Sequence, residues 1–455
     1  MATTENDRLT TEPPIAPTKP ASPQKQRRVS SKKLYRTLWR WHLYAGILVW
    51  PMLIWSSITG AIYIFVDEVE PLMHPDKMVV EPREERISLQ QQADAAQTTF
   101  PEAPLAFLHI PGRPDRSTKF ALMSKEQGTL YVFVNPYSGE VLGSLIHNEM
   151  FFPIVRRLHR NFYADFWGRI IIELGTSWGI FMLLSGMFLW WPRSKSKGAS
   201  GVWLPRWRGS GSQLLRDLHA ITAMYLVPII LAILVTGLLY SQVWGKTFFY
   251  IAKSTDALPR FSVESTVPDK NSESLSLDQV AAVAKEQGLT EEEYQILLPF
   301  DFGKGEIDPK KTFALRGHKS LVTEQQLLFI DQYSGKIVNQ TDWQKMTMMS
   351  QYITLAYPVH VGSIFGMPTK ILALIACLVI VLSCITGIIM WWRTRPQGGL
   401  KLPQRTDAEI LPWWLIITLI LLSIFLPVVG LSILILPLID WLIIKPIWYI
   451  KRRFV

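Results

Sequence analysis

Five long, mainly apolar runs, 43–66, 168–191, 219–242, 369–392 and 411–444, constrain this chain of 455 residues more than anything else in it. The first four hold 24 residues each. As helices they reach about 36 Å, enough to cross a ~30 Å hydrocarbon core with some tilt. The last run holds 34 residues, about 51 Å as one helix, which is too long. Pro427 and Gly430 near its middle predict a tight hairpin of two short helices, with a re-entrant segment as the alternative. Charged residues are only 18% of the chain, against about 25% in soluble domains. An ordinary soluble protein is therefore excluded. Two cysteines exclude a disulfide scaffold and any cysteine-rich zinc or iron–sulfur site.

The formal net charge of +10 is a topology signal. Residues 1–41 carry 9 Lys/Arg against 3 acids, 193–217 carry 6 against 1, 393–409 carry 4 against 2, and 445–455 carry 4 against none. The long loops 67–169 and 244–367 reverse this, with 11 against 14 and 12 against 15. By the positive-inside rule the basic segments and both termini lie in the cytoplasm and the two long loops outside. An even number of spans follows, and the hairpin brings it to six. The basic residues are thereby assigned to topology and the lipid surface, and no nucleic-acid partner is expected. No short apolar segment precedes a small-residue cleavage site, so no cleaved signal peptide is expected.

The chain repeats. Counting from His42 and from His219, both copies place Pro at nine (Pro51, Pro228), Thr-Gly at seventeen and eighteen (Thr59-Gly60, Thr236-Gly237) and Tyr at twenty-one (Tyr63, Tyr240). Counting from His159 and His360, Ser185-Gly186 matches Thr386-Gly387 and Trp190-Trp191 matches Trp391-Trp392, with Arg193 and Arg393 close behind. The long loops repeat as well. Capping boxes at Ser88-Leu-Gln-Gln91 and Ser276-Leu-Asp-Gln279 each open a helix, and Gly288 stops the second. Strand-like runs follow at 104–110, 117–124 and 129–135, and again at 293–299, 311–317 and 325–331, closed by the turns Tyr137-Ser-Gly-Glu140 and Tyr333-Ser-Gly-Lys336.

The expected fold is an α-helical integral membrane protein. A four-helix core is built from a twofold repeat, followed by a C-terminal helical hairpin, with two outer α+β modules. The divisions are a disordered cytoplasmic tail (1–34), a first span (35–66), a first module (67–150) and a second span with an interfacial lead-in (151–192). A cytoplasmic loop (193–217), third span (218–243), second module (244–345) and fourth span with lead-in (346–393) follow. A loop (394–410), the hairpin (411–446) and a tail (447–455) complete the chain. A parallel repeat brings equivalent positions together around an axis along the membrane normal.

Four of the eight histidines, His42, His159, His219 and His360, anchor the repeat. Topology pairs His42 with His219 near the cytoplasmic face and His159 with His360 near the outer face. Two histidines facing each other across a bundle make a bis-imidazole site of the kind that holds a b-type haem without covalent attachment. Two such haems would form an electron path across the membrane. No Cys-x-x-Cys-His occurs, so covalent haem is excluded. Interfacial polar anchors are the plain alternative, and a bare metal ion is disfavoured by only two histidines per layer. Arg40, Arg216 and Arg160, with Arg156 and Arg157 beside it, are candidate partners for haem propionates, or simple topology charges. Glu173 is read as an ion pair with Arg169 four residues earlier, with a proton relay as the alternative, Asp440 as a partner of Lys445, Cys377 and Cys384 as packing residues, and Met346, Met348 and Met349 as gap-fillers, with haem ligation as their alternative.

The segments Leu38-Trp-Arg-Trp-His42, Ser57-Ile-Thr-Gly60, Leu158-His-Arg160, Leu184-Ser-Gly186 with Trp190-Trp191-Pro-Arg193, and Pro358-Val-His360 with Thr386-Gly387 and Trp391-Trp392-Arg393 resemble the PepSY-associated transmembrane family over about 35–396. These are iron-regulated bacterial inner-membrane proteins with PepSY-like periplasmic modules. The resemblance implies a di-haem ferric-siderophore reductase, an oxidoreductase in which His159 and His360 deliver the electron to siderophore-bound Fe(III). Its partners would be a ferric siderophore and a separate electron donor, either a cytoplasmic reductase or a membrane quinol. No dinucleotide-type glycine motif follows a strand, so no fused flavin domain is expected. A non-enzymatic PepSY scaffold or peptidase regulator and a haem quinol oxidoreductase with another acceptor are the competing readings.

Overall fold

The computed structural model describes residues 23–192, 200–258, 263–265, 273–289, 293–317, 322–341, 343–394 and 413–439. Helix α1 (Pro23–Tyr63) carries the first apolar run and continues well before it. Residues 23–34, expected in a disordered tail, are therefore helical. No Gly or Pro lies between Gln24 and Ala45, so nothing in that stretch stops the helix from extending. After α1 come two short helices, α2 (Val66–Met73) and α3 (Pro75–Met78).

The first module consists of α4 (Leu89–Thr99) and strands β1 (Leu105–Ile110), β2 (Thr118–Ser124), β3 (Gly128–Val134) and β4 (Val141–Ile146). Then α5 (Phe151–Asn161) leads into α6 (Asp165–Trp190). The third apolar run was expected as one span. It is α7 (Gly211–Tyr225) and α8 (Val227–Leu238), bent by 68° at the break. Pro228 lies at the second position of α8, where it cannot donate to the preceding turn and its ring crowds the carbonyl four residues back.

Helix α9 (Trp244–Ser254) opens the second module, which continues with α10 (Leu277–Glu286), β5 (Tyr294–Leu297), a small hairpin of β6 (Phe300–Asp301) and β7 (Glu306–Ile307), then β8 (Phe313–Gly317), β9 (Leu327–Ile330) and β10 (Ile337–Gln340). Helices α11 (Met348–His360) and α12 (Met367–Thr394) mirror α5 and α6. Helices α13 (Trp413–Phe425) and α14 (Pro427–Ile439) meet at 116°, breaking where Pro427 placed it. Thirteen residues make only about 20 Å of helix, so neither crosses a ~30 Å core alone over its described length. Asp440 and Lys445 lie outside the described residues. Among the described residues three helices are long and apolar enough to cross a membrane, or up to five spans if each bent pair counts as one. The chain is an integral membrane protein with α+β parts.

Helix α1 packs between α6 and α12, and α7–α8 close the ring against the same two helices. Above this bundle the two modules form one eight-stranded antiparallel sheet, ordered β10-β9-β8-β5-β1-β2-β3-β4. The strand runs read from the sequence are present, but β4, β10 and the hairpin carried too little alternation to be read. The joining of the modules was not foreseen either. At the seam β1 pairs with β5, setting Leu108 opposite Ile296 and His109 opposite Gln295. One face of the sheet buries Leu108, Phe120, Leu122, Ile296 and Leu315 with residues of α4 and α10. Both capping boxes form. Each helix also caps the other: the Leu89 amide donates to Asp278 Oδ1 at 2.7 Å, and the Leu277 amide to Gln90 Oε1 at 3.1 Å. This reciprocity is the twofold relation of the modules written in hydrogen bonds.

Candidate functional site

The bundle brings the four repeat histidines together in two pairs. At the end far from the sheet, His42 on α1 faces His219 on α7, with ring centroids 6.1 Å apart. At the sheet end, His159 on α5 faces His360 on α11, again at 6.1 Å. Along α1, seventeen residues separate His42 from Thr59, which touches His159, so the pairs stand about 25 Å apart along the bundle.

The Ser/Thr-Gly pairs, which the sequence marked only as signs of repetition, are the cradles of these rings. His42 Nδ1 lies 2.9 Å from Ser185 Oγ, and His159 Nδ1 lies 3.0 Å from Thr59 Oγ1. In the second repeat His219 Nδ1 lies 2.8 Å from the Ser383 carbonyl, and His360 Nδ1 lies 2.9 Å from the Ile233 carbonyl. Ser383 and Ile233 stand three residues before Thr386 and Thr236. In the first repeat the equivalent carbonyls, Met182 and Ser56, accept from Ser185 Oγ at 3.2 Å and Thr59 Oγ1 at 3.3 Å. Beside each ring is the glycine of the same motif. A Cβ on Gly186 would meet His42 Cε1 at 3.4 Å, on Gly60 His159 Cε1 at 3.3 Å, on Gly387 His219 Cε1 at 3.3 Å, and on Gly237 His360 Cε1 at 2.9 Å. Each cradle therefore links the two spans of one repeat, whereas each histidine pair links the two repeats.

This geometry fixes the proton. A carbonyl only accepts, so His219 and His360 must carry hydrogen on Nδ1. Thr59 Oγ1 donates to the Trp55 carbonyl at 2.7 Å and Ser185 Oγ to the Met182 carbonyl at 3.2 Å. Their hydroxyl protons are thus engaged, and they accept from His159 and His42. All four neutral rings then present Nε2 as the lone-pair nitrogen, the arrangement that a metal-bound histidine takes when its other nitrogen donates to a backbone or side-chain oxygen.

The residues fit a b-type haem in each layer. A coordinated imidazole nitrogen lies about 2 Å from its metal and the ring centre about 1 Å further, so two axial rings stand about 6 Å apart. That is the spacing of both pairs. Among the described residues no cluster of three or more His, Cys, Asp or Glu could hold a metal ion. A two-histidine site suits a macrocycle that brings the remaining ligands itself.

The strain around the sheet-end pair is local. Between α5 and α6, Phe162, Tyr163 and Asp165 have positive φ, and a Cβ on Gly168 would fall 1.7 Å from the Asn161 carbonyl oxygen. This close joint turns α5 aside and holds His159 over the end of α1. The second repeat makes the same joint with Gly362 and Gly366, both at positive φ.

The arginines divide. Arg40 is half-buried two residues before His42. Arg160 is exposed one residue after His159, within electrostatic reach of Arg156 and Arg169. Arg216 is tied into its own loop, donating to the Gly201 carbonyl at 2.6 Å and to Asp217 Oδ1 at 3.0 Å. The buried Asp217 also takes two bonds from the Arg206 guanidinium. Arg193 lies outside the described residues.

Glu173 does not point to Arg169 as expected. Its carboxylate is buried and accepts from the amides of Val243 and Trp244 at 2.7 and 2.8 Å, capping α9 from another helix. The orphan amides at the start of α9 offer the carboxylate two donors at once, which the half-buried Arg169 on its own helix does not match. Cys377 packs with Ile64 and Ala373, and Met348 is exposed. A polar clamp that sequence reasoning missed holds the sheet end of α12: buried Lys370 bonds Asp67 at 3.0 Å and Glu68 at 2.9 Å. Their separation of some three hundred residues left no local signal.

The PepSY-associated TM region family profile matches residues 39–394, a range that contains all four histidines and all four cradles. A comparison with curated proteins finds no match.

Proposed function

We propose that this chain, which belongs to the PepSY-associated TM region family, is a di-haem reductase of the bacterial inner membrane. It would carry electrons from the cytoplasmic side to a ferric siderophore in the periplasm. Both termini would lie in the cytoplasm, with six passes if α13 and α14 are completed by the residues beyond them. The observation that supports this reading is the pair of matched sites, His42 with His219 and His159 with His360, each with Nδ1 held and Nε2 presented.

Two b-type haems would supply one-electron carriage at two depths of the bundle. The chain's own residues do the rest. The four histidines would hold the two haems, and the Ser/Thr-Gly cradles fix each ring's tautomer and orientation. Arg40 and Arg160 are placed to meet anionic groups beside the two pairs. The donor would be a cytoplasmic reductase or a membrane quinol. A quinol gives up two electrons and two protons, one electron for each of two Fe(III) centres. Oxygen chelators bind Fe(III) more tightly than Fe(II), so one-electron reduction releases the iron. His159 and His360, at the sheet end, are the residues nearest this exit.

The test is the haem spectrum of the purified chain followed by anaerobic reoxidation. Dithionite should produce a b-type α band with two haems per chain, and ferric siderophore should abolish it with one Fe(II) per electron. A chain without the band would leave the scaffold reading standing. Reoxidation by quinone but not by ferric chelate would replace the acceptor.

A further inference from the structure

The sheet has a second face, opposite the one buried by α4 and α10. Directly opposed residues of antiparallel strands point to the same face. Lys119 on β2 opposes His109 on β1, His109 opposes Gln295 on β5, and Gln295 opposes Arg316 on β8. These four side chains form one row across the seam between the modules, and Gln295 Nε2 lies 3.4 Å from His109 Nε2. Neighbouring residues Leu108, Phe120, Ile296 and Leu315 point the other way into the core. Two aromatic rings stand beside the row. Phe107 is 5.6 Å from His109 and 6.4 Å from Tyr131, and Lys119 Nζ lies 4.9 Å from the Tyr131 ring centre. Glu293, 4.0 Å from His109 Nδ1, marks one edge of the row.

The row is joined to the sheet-end histidine pair by contacts. Tyr131 lies 5.1 Å from His147, whose Nε2 is 3.0 Å from Arg156 Nη2. Arg156 is on α5, one turn before His159. Cations at both ends of this path, hydrogen-bond donors between them and aromatic faces alongside suit a ligand that is anionic, oxygen-rich and partly planar. The two outer loops are net acidic as a whole, and Glu293 beside His109 and Glu70 within electrostatic reach of Lys119 border the row, so the attraction for an anion is confined to the cations themselves.

We propose that this sheet face, with Arg316 exposed, Lys119 and His109 half-buried and Gln295 buried between them, and with Phe107 and Tyr131 beside the row, binds a negatively charged oxygen chelate of a trivalent metal. It would thereby select the acceptor by charge. The inference rests on the proposed electron path for its meaning, but its binding test does not need haem. The full chain in zwitterionic nanodiscs would be titrated with two redox-inert gallium(III) chelates, a trianionic tris-catecholate and a neutral tris-hydroxamate, following tryptophan fluorescence. The tris-catecholate should bind at least about tenfold more tightly, and a Lys119→Ala/Arg316→Ala chain should lose about tenfold of that affinity. Lys119→Arg should retain it. Equal binding of the two chelates, or an unchanged affinity in the double variant, overturns the proposal. So does a double variant that weakens only association with phosphatidylglycerol, since the row would then serve lipid headgroups. A chain that lacks haem yet binds the anionic chelate refutes the electron path alone. A haem-loaded chain reoxidised equally by neutral and anionic ferric chelates, with equal binding, refutes only the selection.

Discussion

Replacing Gly237 by alanine separates the cradle from the helix that carries it. Helix propensity favours alanine over glycine by about 1 kcal/mol, so α8 by itself should gain. The added methyl would sit 2.9 Å from His360 Cε1, closer than carbon atoms pack, and the ring, held by the Ile233 carbonyl, would have to yield. Overpacking of this kind costs about 1–3 kcal/mol, equivalent to about a 5- to 150-fold loss in affinity for whatever the ring binds. The expected result is a chain whose apo form loses at most about 2 kcal/mol of stability, the overpacking less the propensity gain, and which retains little of its sheet-end haem, so that the b-type absorbance per chain falls towards half. Gly186→Ala is the internal control. There the methyl would meet His42 Cε1 at 3.4 Å, ordinary van der Waals contact, and haem content should be nearly unchanged. Haem titration of both apo variants, with pyridine haemochromogen counts, measures the difference. Equal affinity in the two would refute the claim that these glycines exist to admit the imidazoles.

Four further outcomes follow from the geometry. His42→Ala and His360→Ala should each remove one haem and leave the other, read as half the haemochromogen per chain; full content in both would overturn the ligand assignment. Gly168→Ala should lower the melting temperature more than any cradle substitution, because its Cβ would fall on the Asn161 carbonyl of the backbone, which cannot turn away as a side chain can. Glu173→Gln leaves one of the two amides that start α9 poorly satisfied and should cost about 1–3 kcal/mol, seen as faster proteolysis within 244–254. Burial, followed by the Arg156 and Lys119 charges, holds His147 below the usual histidine range. A depressed folded value means that the unfolded chain takes up the proton first, so its contribution to stability is present above about pH 6.5 and is lost as the pH falls through the folded value. His147→Gln should therefore flatten the fall in melting temperature between about pH 6.5 and pH 5.

What could be read before folding was whatever is written locally or periodically. The apolar runs have a length that only lipid-spanning helices use. The capping boxes at Ser88 and Ser276 are complete within four residues, and both form. Repetition made the four histidines stand out and, through topology, predicted which of them meet. The break before Pro427 was legible for the same local reason. Glu173 was misread because the nearest charge in sequence was taken for its partner, when the amides it caps lie 70 residues away.

The sequence by itself thus determined the apolar runs, the twofold repeat and the identity of the four rings. Only the tertiary structure decided what the rings lean on. Ser185 lies 143 residues from His42, and Thr59 lies 100 from His159. The pairing of β1 with β5, which carries the row from Lys119 to Arg316 across two modules, likewise joins strands far apart in the chain. Hydrogen-bond direction, tautomer and the room left by a missing Cβ are properties of surfaces in contact, and those contacts exist only after the two repeats have closed around their common axis.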